Sequence, residues 1–113
     1  MNIVHAVDIS NWQGDLSPER ARCLAENNAF VIVRLSLENP SLVARAKLQL
    51  TALRDAGCPL HGYIWGYESW NPEKTIDDAI REYDQFPLAW WWLDAEEVDD
   101  RVGQVRNGEW FWR

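Results

Sequence analysis

Leu88-Ala89-Trp90-Trp91-Trp92-Leu93-Asp94-Ala95-Glu96 is an apolar run of six residues that ends in two acids. The run reads as a strand, and side chains on a strand alternate faces. Acids two positions apart therefore point the same way, and a strand ending there delivers Asp94 and Glu96 to one cleft. This is a layout for acid/base chemistry on a bond held between acids.

Working upstream, Ile76, Ala79, Ile80 and Tyr83 form an i, i+3, i+4, i+7 stripe, opened by Asn71-Pro72-Glu73 and closed before Phe86-Pro87. Leu60 to Tyr67 reads as another strand. Before it, Leu42, Ala46, Leu50 and Leu53 recur at helical spacing from Ser41, with Gly57 where a left-handed C-cap is expected. Ala29 to Leu35 is a strand, and Ser17-Pro18 opens a short helix to about Asn27 that buries Ala21, Leu24 and Ala25. Ile3 to Val7 is the first strand. This alternation predicts right-handed βαβ units and a parallel sheet, so the fold class is α/β.

With 113 residues, 47% hydrophobic and 26% charged, the chain fits one soluble globular domain with a small core. A net charge of -7 with 11 scattered basic residues argues against a nucleic-acid binder, whose phosphate contacts need clustered Lys and Arg. No stretch approaches the roughly 20 apolar residues of a membrane span, so no membrane partner is expected. The N-terminus enters a strand directly, without a basic-then-apolar leader, so any export is expected to depend on something else. Cys23 and Cys58 read as two buried reduced thiols rather than a disulfide. Most of the eight Trp are assigned to structure, with at least one of Trp90, Trp91 and Trp92 packing as core on each side of its strand.

The first strand also ends in an acid, in Ala6-Val7-Asp8-Ile9-Ser10-Asn11-Trp12-Gln13-Gly14. The Trp and Gln that follow suit a wall that packs and hydrogen-bonds a sugar ring. Together the two segments resemble glycoside hydrolase family 25, the Chalaropsis-type lysozymes of bacteria and phages. The family's Asp-x-Ser-x-x-Gln pattern is matched by Asp8, Ser10 and Gln13, and its Asp-x-Glu pair by Asp94 and Glu96. Between them, Phe30-Val31-Ile32-Val33-Arg34-Leu35-Ser36 looks like its second strand, and Ala56-Gly57-Cys58-Pro59-Leu60-His61-Gly62 like the helix end that leads into its third. The resemblance runs from about Val4 to Glu96, and 97–113 form a divergent tail ending on Trp110-Phe111-Trp112-Arg113.

The resemblance implies a peptidoglycan hydrolase that cleaves the β-1,4 bond between N-acetylmuramic acid and N-acetylglucosamine. Glu96 is then the general acid, a role that needs a raised pKa, and Asp94 and Asp8 orient or charge-stabilise the site. Ser10, Trp12, Gln13, Trp65 and Tyr67 are the candidate substrate-binding residues. The family's third strand usually carries Gly-x-Tyr-His, where this chain has Gly62-Tyr63-Ile64-Trp65. A complete (β/α)8 barrel takes ~250 residues, so four strands correspond to the N-terminal half of the family's domain, a partial TIM-like barrel. An open sheet edge would then be covered by the tail or by self-association. Action on the cell wall without an encoded leader fits phage-type release, or residence in the cytoplasm until lysis.

Read without the resemblance, Glu96 is a solvated loop acid in the run Asp94 to Asp100, and Asp8 is a turn residue capping Ser10 or Asn11. Asp8, Asp94 and Glu96 also offer oxygen ligands of the kind Mg²⁺ or Ca²⁺ takes, but no metal-specific spacing is present and no cofactor is expected. His5 and His61 lack a matched nucleophile and read as core or edge packing. A glycan-binding module and an assembly domain are the competing readings.

Overall fold

The computed structural model of the chain describes residues 3–65 and 72–94. The expectations for Tyr67, Glu96 and the tail lie outside the described residues.

Four strands alternate with three α-helices: β1 (Ala6–Ile9), α1 (Pro18–Asn27), β2 (Phe30–Arg34), α2 (Pro40–Asp55), β3 (Leu60–Trp65), α3 (Pro72–Tyr83) and β4 (Leu88–Asp94), with a short 3-10 turn at Asn11–Gln13 after β1. The local signals behave as their chemistry requires. The Ser17 hydroxyl accepts from Arg20 N at 3.1 Å with Pro18 opening the helix, and Asn39 Oδ1 accepts from Leu42 N at 3.0 Å ahead of Pro40. Gly57 adopts φ 76° after α2, a left-handed conformation that a side chain would strain.

All four strands are parallel in the order β1-β2-β3-β4. Right-handed crossovers in sequential order put every helix on the same face of such a sheet. Val31, Val33 and Leu35 project into that face and are fully buried against Ala21 of α1, Leu50 and Leu53 of α2, and Ala79 and Tyr83 of α3. β3 adds Leu60 and Ile64 to the same core. Between them, Gly62 lets the Leu35 side chain lie against the strand, because a Cβ there would sit 2.6 Å from Leu35 Cδ1.

The predicted α/β class with parallel βα units is thus observed; among the described residues the sheet is open, with β1 and β4 at its edges. Three expectations need correction. The first strand starts at Ala6 rather than Ile3, because pairing with β2 runs from Ala6↔Phe30 to Ile9↔Val33 and it is Ile9 that enters the core, while Ile3 and Val4 are exposed. Trp90, Trp91 and Trp92 do not pack as core: they are 64%, 40% and 46% exposed, since β4 is an edge strand among the described residues. Cys58 is buried and Cys23 is exposed, both as free thiols, because Cys23 falls on the outer side of α1. Burial pushes the Cys58 thiol pKa up, partly offset by a backbone hydrogen bond from Val31. Among the described residues, no helix is long and apolar enough to cross a membrane.

Candidate functional site

Residues paired across parallel strands share a face, so the register defines rows on the sheet face opposite the helices. One row runs Asp8, Ile32, His61, Trp90, and the next runs Arg34, Tyr63, Trp92. Trp65 and Asp94 pair beyond them at the carboxyl ends of β3 and β4. Ser10 and Trp12 follow β1 at the same end of the sheet.

These ends enclose a cleft of about 270 Å³ lined by Ser10, Trp12, Arg34, Tyr63, Trp65 and Asp94. Four of the residues expected at a site from the sequence therefore meet there: Ser10, Trp12, Trp65 and Asp94. Carboxyl strand ends are where open and closed parallel α/β sheets carry their ligands. The volume suits about one sugar ring, near the lower limit of small-molecule sites. Three larger hollows, about 480, 610 and 430 Å³, lie elsewhere. The first is between α1 and α2, the second is between α3 and β4, lined by Ile64, Ile76, Ile80 and Leu93, and the third is at the start of α2, lined by Glu38, Pro40, Val43 and Lys47.

Ser10 and Gln13 close the loop after β1 as a capping box. Ser10 N donates to Gln13 Oε1 at 2.6 Å, and Trp12 N donates to the Ser10 hydroxyl at 3.2 Å. Gln13 is thereby turned towards its own loop and does not line the cleft, whereas Trp12 projects from it, 86% exposed. Gln49 anchors the loop from below. Fully buried on α2, its Nε2 donates to Ser10 O at 2.8 Å and to Gly14 O at 2.7 Å.

Asp94 closes β4 as expected and is half-buried at the cleft. Asp8 lies inside β1 rather than at its end, on the exposed face and outside the cleft lining. The sheet does not bring Asp8 beside Asp94: they stand on its two edge strands, three strand spacings or about 14 Å apart along it. Glu96 and Tyr67 lie outside the described residues.

Three residues at or beneath the cleft were not singled out from the sequence. Tyr63 is half-buried on β3. Arg34 ends β2, with its guanidinium 4.9 Å over the Trp65 ring and an ion pair to Glu38 four residues on. A charged residue at the end of an otherwise apolar strand was the available signal. For Gln49 the signal was a polar residue beside Leu50 on the buried stripe of α2. His61, expected to pack, is buried on the open face. It stacks on Phe30 with ring centres 4.0 Å apart and accepts from Trp92 Nε1 at 3.0 Å, and its burial lowers the imidazole pKa.

Among the described residues no group of three or more His, Cys, Asp or Glu side chains is arranged to hold a metal ion. No protein-family model, no curated protein and no solved structure matches this chain.

Proposed function

We propose that this chain is a lysozyme-type glycoside hydrolase that acts on the glycan strands of peptidoglycan, cleaving β-1,4 bonds between N-acetylmuramic acid and N-acetylglucosamine. The observation that carries this reading is the cleft at the carboxyl ends of the strands, where Asp94 stands beside an aromatic wall of Tyr63 and Trp65. Aromatic faces pack the apolar faces of a sugar ring, and a carboxylate at the rim meets its hydroxyls. The sequence places Glu96 two residues beyond Asp94, and in this reading it protonates the departing glycosidic oxygen. Asp94 orients the substrate and offsets the positive charge that develops at the sugar's reacting carbon. Asp8 stands on the other edge strand, outside this cleft, and takes part in this reading only where curvature of the sheet into a TIM-like barrel carries β1 round towards β4.

Release of reducing ends from purified peptidoglycan by this chain, measured beside Glu96→Gln, tests the proposal. Activity in the parent and none in the variant is expected. No release from either, with both shown folded by circular dichroism, overturns catalysis by this chain.

A second reading is favoured by the exposed Trp90 and Trp92 on the face opposite the helices and by the two sheet edges that are open among the described residues. Exposed aromatic faces and unpaired edges are also what a docking module presents. In that reading the chain binds glycan, or a second subunit, without cutting. Sedimentation velocity over a range of concentrations, together with glycan pull-down lacking reducing-end release, would select it.

A further inference from the structure

We propose that Arg34 is the receptor for a carboxylate carried by the sugar in this cleft, and that Glu38 is the internal carboxylate that such a ligand displaces. The inference rests on the glycan reading above and assigns the residue that would recognise the carboxylate of its N-acetylmuramic acid unit.

Of the six described side chains that line the cleft, Arg34 is the one cation. Its planar guanidinium is held 4.9 Å over the Trp65 ring, so it is aimed before any ligand arrives. An arginine fixed in this way presents a fork of N–H donors that matches a carboxylate in both shape and charge. A lysine ammonium would offer the charge without the fork.

The ion pair with Glu38 shows that a carboxylate reaches this guanidinium. The two partners are unequally placed: the Arg34 side chain is 13% exposed and that of Glu38 is 34% exposed. Glu38 lies outside any strand or helix, one residue before the Asn39 that caps α2, so it can swing away while Arg34 stays in place. Glu38 is the more exposed member of the pair, so the carboxylate that leaves returns to water, while the incoming one keeps the mostly buried Arg34 charge paired.

The cleft is also polarised. Arg34 ends β2 and Asp94 ends β4, with Trp65 of β3 between them, so the two charged residues are rooted on strands two spacings or about 10 Å apart. A sugar stacked against the central aromatic wall would direct its carboxylate to the β2 side, away from Asp94, and its hydroxyls and glycosidic bond to the β4 side. In a chain of net charge -7, a local cation is what lets an anionic ligand settle.

The test is a titration of the full chain, followed by tryptophan fluorescence and calorimetry, with N-acetylmuramic acid, its methyl ester and N-acetylglucosamine. Methyl esterification removes the charge and keeps the ring. A charge-assisted hydrogen-bonded pair corresponds to ~10-fold or more in affinity, so the free acid is expected to bind at least that much tighter than the ester. Arg34→Gln is expected to erase the difference, and Arg34→Lys to keep part of it. Glu38→Gln is expected to tighten binding of the acid several-fold and leave the ester unchanged, a gain that a merely structural ion pair would not produce. Equal binding of acid and ester, or a preference for the acid that survives Arg34→Gln, overturns the role of Arg34, and an unchanged preference in Glu38→Gln overturns the exchange; each leaves the glycan reading standing. Failure of all three sugars to bind the folded protein overturns both.

Discussion

The indole Nε1 of Trp92 donates a hydrogen bond of 3.0 Å to Nδ1 of His61, across adjacent strands on the sheet face that carries no helix. The acceptor role fixes the imidazole as neutral, with its proton on Nε2, and burial lowers its pKa from the ordinary value of about 6.5. The unfolded chain therefore takes up this proton first as the pH falls. The contribution of His61 to stability is complete above about pH 6.5 and is lost on acidification through the folded-state pKa. Asp8 lies in the same row two strands away and is common to both variants. Urea midpoints for the parent and His61→Phe, measured from pH 8 to pH 5, are expected to differ by an amount that changes below about pH 6.5, with the parent losing more stability.

Gln49→Leu removes both donors that hold the Ser10 and Gly14 carbonyls while keeping the volume of a buried position. A loss of about 1–3 kcal/mol in urea unfolding is expected. Because Ser10 and Trp12 stand on this loop, weaker binding of any sugar that quenches tryptophan fluorescence is expected to accompany it.

Gly62→Ala would place a Cβ 2.6 Å from Leu35 Cδ1 and 2.8 Å from Leu35 Cγ. Leu35 is fully buried and cannot swing aside, so overpacking of about 1–3 kcal/mol is expected. Chemical denaturation checks this, and Leu35→Val in the same chain is expected to recover part of the loss.

Tyr83→Phe removes a 2.6 Å hydrogen bond from the Tyr83 hydroxyl at the end of α3 to the Ser36 carbonyl just past β2, both ends buried. The orphaned carbonyl is expected to cost about 1–3 kcal/mol, read as a lower urea midpoint with an unchanged slope.

The α/β class, the parallel order and most element positions were legible in the chain because they follow from local chemistry. Ser17-Pro18 starts a helix and Gly57 ends one through contacts within a few residues of themselves. Periodicity on α3 selects Ala79 and Tyr83, which are buried, together with Ile76 and Ile80, which are 37% and 48% exposed. Asp94 at the end of β4 followed from the point where an apolar run stops.

Register, closure and long-range partners were decided by the tertiary structure. Whether β1 began at Ile3 or Ala6 depended on which residues β2 offered for pairing, and whether three consecutive tryptophans were core depended on β4 being an edge. Alternation along a strand assigns faces but not what covers them. The stacking of Arg34 on Trp65 joins residues 31 positions apart, and the hold of Gln49 on Ser10 joins residues 39 apart. Residues so far apart in the chain meet only once the sheet has assembled. The sequence alone therefore marked Asp94 as a candidate acid, while the cation that faces it across the cleft became visible only when β2, β3 and β4 lay side by side.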